Sequence, residues 1–116
     1  MISSLEGHPE VVKLLLEKGA DVNAKEGRGI SVLMVASDHG QIEVMKLLLE
    51  EGADVNAKEG RGISVLMSAS TRGRAEVVKL LLKKGADVNA KNDDNLTALS
   101  IASVMGFPEV VKLLSK

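Results

Sequence analysis

At 116 residues the chain amounts to one domain, too short for separate catalytic and regulatory halves. Its composition, 45 % apolar and 27 % charged, is that of a folded globular protein and not of a disordered one. A net charge of −1 from 15 basic and 16 acidic residues argues against nucleic acid as the main partner, and zero cysteines exclude disulfides, thiol catalysis and thiolate metal sites.

The opening residues Met1-Ile2-Ser3-Ser4-Leu5-Glu6 lack the basic start and apolar stretch of a secretory leader. Uncharged runs fall well short of the ~20 residues that span a bilayer. With the missing cysteines, these features predict a cytoplasmic protein without a membrane partner. One Phe, with no Trp or Tyr, requires a core of Leu, Val, Ile, Ala and Met and a binding surface poor in aromatic anchors.

Self-similarity organises the whole chain. Gly19-Ala20-Asp21-Val22-Asn23-Ala24-Lys25 returns at residues 52–58 and 85–91, each time 33 residues on. The same step carries Glu10-Val11-Val12-Lys13-Leu14-Leu15 onto the segments starting at Glu43, Glu76 and Glu109, and it relates Gly7, Gly40, Gly73 and Gly106. Residues 19–34 and 52–67 are identical. The pattern predicts a single domain over 1–116, with a partial repeat 1–25, repeats 26–58 and 59–91, and a C-terminal repeat 92–116.

Within a unit, Ser31 to His39 reads as a short helix behind a Ser cap and is stopped by Gly40. Glu43 to Glu50 reads as a second helix, whose apolar residues Val44, Met45, Leu47, Leu48 and Leu49 are too broadly spread for one wet side. Neighbouring repeats would cover it from two directions. Pro9 and Pro108 fall just inside the start of this helix, and Gly52 follows its end as a left-handed cap. Glu43 with Lys46, and Glu76 with Lys79, form i,i+3 pairs on its outer face. Residues 53–62 form an extended turn or hairpin, and Asn95, in place of Gly29 and Gly62, predicts a left-handed backbone at that position.

The 33-residue step, the Gly-Ala-Asp-Val-Asn-Ala signature and the Val-Val-Lys-Leu-Leu-Leu second helix together resemble the ankyrin repeat family over essentially the whole chain. The resemblance implies an all-α solenoid of stacked helix-turn-helix units with projecting hairpin turns. Where the family has Thr-Pro-Leu-His, this chain has Ser31-Val32-Leu33-Met34, Ser64-Val65-Leu66-Met67 and Thr97-Ala98-Leu99-Ser100. Losing that histidine implies weaker polar tethering between repeats, with packing to compensate.

The last unit keeps the internal apolar pattern at Val110, Val111, Leu113 and Leu114. Covering ~400 Å² of apolar end face would be worth on the order of 10 kcal/mol before association costs. Either the chain is part of a longer array or another copy of itself closes its ends.

Family resemblance also implies that turn tips and the exposed face of the first helices bind a partner. By alignment that surface is Arg28, Ile30, Asp38 and His39, then Arg61, Ile63, Thr71 and Arg72, then Asp94, Leu96, Val104 and Met105. Ile30, Ile63 and Leu96 form an apolar ladder that either tucks into the turns or presents a stripe to a partner. For Val104 and Met105 a final core layer is an equal explanation. Arg28 and Arg61 could take a carboxylate or phosphate, or stand as solvated turn cations.

Catalytic chemistry finds little purchase. The Gly-Arg-Gly triplets lack the ending of a phosphate loop, and Asn95-Leu96-Thr97 reads as a turn and helix cap. The two histidines, His8 and His39, share no repeat position and no metal-ligand spacing. Asp38 and His39, adjacent on a helix, point apart and make no dyad. No cofactor is expected. Two functions remain open at this point: a non-enzymatic protein-interaction module, or an engineered or self-assembling scaffold that forms a homo-oligomer.

Overall fold

A computed structural model describes residue 14 and residues 21–23, 25–27 and 29–115, with the backbone alone at 25, 26 and 30. Gly7, His8, Pro9 and Gly19, named above, lie outside the described residues. A two-residue antiparallel ladder joins β1 (Lys25–Glu26) to β2 (Ile30–Ser31), with Lys25 opposite Ser31 and Glu26 opposite Ile30. Three helix pairs follow: α1 (Val32–Asp38) with α2 (Ile42–Glu50), α3 (Val65–Thr71) with α4 (Ala75–Lys83), and α5 (Ala98–Met105) with α6 (Pro108–Leu114). Corresponding helices start 33 residues apart, as the sequence period requires. The result is an all-helical repeat stack with hairpin turns.

Local chemistry starts each first helix. Ser31 Oγ accepts from Met34 N at 3.3 Å, Ser64 Oγ from Met67 N at 3.2 Å, and Thr97 Oγ1 from Ser100 N at 3.2 Å. Each bond satisfies one orphan donor of the first turn. Pro108 opens α6, where no N–H is needed. The turn before each first helix requires positive φ: +74° at Gly62 and +66° at Asn95, as the Asn-for-Gly exchange predicts.

Packing is between neighbours. α1 and α5 both contact α3, while α4 contacts α6. The core is a continuous apolar layer that includes Leu33, Met45 and Leu48, then Leu66, Met67, Val78 and Leu81, and then Ala102 and Val110. Met34 and Met67, standing where the family has histidine, are buried in it.

Polar bonds also run along the turns of the stack. Asp21, Asp54 and Asp87 each accept from the backbone N–H two residues on, at 2.9 Å, and at Asp54 and Asp87 the bond closes the turn after α2 and α4. The neighbouring asparagines reach across. Asn23 Oδ1 accepts from Asp54 N at 2.7 Å and its Nδ2 donates to Gly52 O at 3.0 Å, and Asn56 Oδ1 accepts from Asp87 N at 2.7 Å. Asp93 N donates to Arg61 O at 3.0 Å and so joins two tips. These backbone-directed bonds from the asparagine signature tie neighbouring repeats at their turns.

The apolar end face differs from its expected composition. Val110 and Leu114 are buried, and Val111 and Leu113 are half-buried, because α6 turns them onto α5 and α4. The most exposed apolar side chains there belong to α5.

Candidate interaction surface

The last turns of α1, α3 and α5 put one two-residue rung per repeat on a common face: Asp38 and His39, Thr71 and Arg72, Val104 and Met105. Adjacent first helices are in contact, so successive rungs lie about 10 Å apart. The first two rungs are ionically joined. Arg72 Nε pairs with Asp38 Oδ1 at 3.3 Å, and Ser68 Oγ donates to the same oxygen at 2.7 Å. Thr71 Oγ1 donates to Met67 O at 3.0 Å, and the His39 ring Nδ1 meets Val35 O at 2.9 Å. Both side chains are thereby fixed against their own helix.

The third rung is apolar. Val104 is 83 % exposed and Met105 49 %. Leu96 stands on the adjacent tip at 39 % exposure, whereas Ile63 is half-buried and packs against the core. The ladder is therefore graded from rung to rung. The Ile30 side chain and all of Arg28 lie outside the described residues.

The tips reverse in charge. Arg61 is exposed on one, while Asp93 and Asp94 are exposed on the next. Asn92 Oδ1 shapes this last tip by accepting from Asp94 N at 2.9 Å and Leu96 N at 3.0 Å. An open groove of about 550 Å³ below the rungs is lined by Gly40, Ile42, Arg72, Arg74, Glu76 and Glu109, among others. Its charges are mixed, so it selects neither anions nor cations. Among the described residues, no three His, Asp or Glu side chains converge to hold a metal ion.

Sequence reasoning missed two relationships. One is the Asp38–Ser68–Arg72 cluster, whose members stand at positions that vary between repeats. The other is the residue after each period-33 glycine: the Arg74 guanidinium lies over Gly40, and the Phe107 ring over Gly73. The fixed step that relates the glycines was signal enough to find the second.

A family model described as ankyrin repeats (3 copies) matches residues 1–59 and 33–116, and so reaches both ends of the chain. The chain belongs to the ankyrin repeat family. Ankyrin repeats are generally protein–protein interaction modules and are generally non-enzymatic. No curated protein matches this ankyrin-repeat chain. None of its described helices is long and apolar enough to cross a membrane.

Proposed function

We propose that this chain is a non-enzymatic binding module whose first-helix rungs and turn tips hold a protein partner. One domain spans 1–116 in this reading, divided after residues 25, 58 and 91. Supporting it most is the exposure of Val104 and Met105 on the same face as the Asp38–Arg72 pair. Two adjacent exposed apolar side chains with Leu96 nearby make an anchor that a partner can desolvate. The ionic rungs beside it give orientation more than affinity. Near-zero net charge disfavours nucleic acid and anionic membrane as the ligand. The absence of cysteine is compatible with a reducing, cytoplasmic setting.

Photo-crosslinking from Val104 in the cells that express the protein tests this reading, with Lys79 on an outer helix face as the control position. A discrete crosslinked protein at 104 that is absent at 79 is expected. Identical patterns at both positions, or none at 104, would overturn it.

A further inference from the structure

We propose that Met105 is a reversible oxidation site: hydrogen peroxide converts it to the sulfoxide ahead of the core methionines, and the change loosens the third rung's hold on its partner. The second half rests on the binding reading above, and the first half does not.

Of the five methionines, Met1 lies outside the described residues. The surroundings of the others divide them. Met34, Met45 and Met67 are 4 %, 0 % and 1 % exposed in the core, whereas Met105 is 49 % exposed. Exposure at this register belongs to the helix face and not to the last place in the stack. His39 and Arg72, the counterparts of Met105 after α1 and α3, are exposed with a further repeat packed beyond each. The Arg72 side chain keeps 52 % of its surface in that setting. Thr71, the counterpart of Val104, is exposed as well.

The thioether supplies the chemistry. A lone pair of Met105 Sδ attacks one oxygen of the peroxide and the O–O bond breaks. The proton on the transferred oxygen passes to the departing hydroxide, which leaves as water. Sulfur loses two electrons and peroxide gains them, so no further co-reactant is needed. A methionine sulfoxide reductase returns the thioether, releasing the oxygen as water while two thiols become a disulfide. On an exposed side chain the new S–O dipole stays hydrated, so the fold is kept. Under a partner it is a polar acceptor stripped of water beside Val104, which disfavours binding. In the core the same dipole would have to be buried, and the packing around Met34, Met45 and Met67 shields their sulfurs from the oxidant.

The full chain carrying a photo-crosslinker at position 104 tests both halves. It is treated with hydrogen peroxide, freed of peroxide, and added to an extract of the cells that express it. Peptide mass spectrometry is expected to find Met105 oxidised at least about tenfold faster than Met34, Met45 and Met67, with helical circular dichroism unchanged. The yield of the position-104 crosslink should fall about tenfold and return after treatment with methionine sulfoxide reductase and a thiol. Met105→Leu keeps an apolar side chain of similar volume, so its crosslink should survive peroxide. Oxidation of Met105 no faster than that of the buried three would overturn the proposal. So would a crosslink indifferent to complete oxidation of Met105, or one lost equally from Met105→Leu. A protein that gives no crosslink before peroxide defeats the binding reading and with it the loosened hold, while the relative oxidation rates still decide the site.

Discussion

The phenyl ring of Phe107 occupies the space a side chain at Gly73 would need, with Cε1 2.6 Å from the position of a Cβ. Gly73 also holds φ at +64°, and its counterpart Gly106 holds +77° with nothing within 4 Å. The two positions separate backbone strain from overpacking. Gly106→Ala should cost about 1–2 kcal/mol for the left-handed backbone alone. Gly73→Ala should exceed it by about 1–3 kcal/mol, since the ring must move out of a packed interface. Urea unfolding of the two variants measures the difference.

The asparagine tether gives a second matched pair. Asn56 Oδ1 accepts from Asp87 N in the next repeat, while Asn89, one repeat on, makes no such reach among the described residues. Asn56→Ala should destabilise by about 0.5–1.5 kcal/mol. Asn89→Ala should change stability by less than about 0.5 kcal/mol. Thermal unfolding at one protein concentration compares them.

Ile63 and Leu96 occupy equivalent tip positions with different surroundings. Ile63 packs on the core, so Ile63→Lys should cost about 1–2 kcal/mol of burial. Leu96→Lys should cost less, about 0.5–1 kcal/mol, since that side chain is 39 % exposed and does not pack on the core cluster. Equal losses at the two sites would mean that both residues are structural.

Val104→Glu combined with Met105→Glu tests the binding face without testing the fold. Each side chain is exposed, so stability should change by no more than about 0.5 kcal/mol per site. Recovery of the partner crosslinked from position 104 should fall to background when the change Met105→Glu is present with the probe.

What could be read in the sequence was local or periodic. The Ser31, Ser64 and Thr97 caps and the positive φ at Asn95 each follow from one residue and its near neighbours, and the helix pairs follow from the 33-residue step. Interactions between non-equivalent positions of neighbouring repeats could not be read that way. Asp38 meets Ser68 and Arg72, 30 and 34 residues on, only because stacking sets α1 beside α3. The burial that separates Ile63 from Leu96 likewise depends on how each tip leans, which their shared register does not encode. Asn23 and Asn56 were legible as family marks, but their bonds into the next repeat required the stack itself.

The central claim is that each helix pair is held by its neighbours, with cover on both sides for α3 and α4 and on fewer sides for α5 and α6. Residue-resolved hydrogen exchange of the monomer tests this most directly, because it reports the free energy of opening element by element. The account predicts slower exchange at Val78 and Leu81 in α4 than at Val111 and Leu114 in α6, with α5 and α6 opening together. Slowest exchange in α6, or one opening free energy shared by every protected amide, would contradict it.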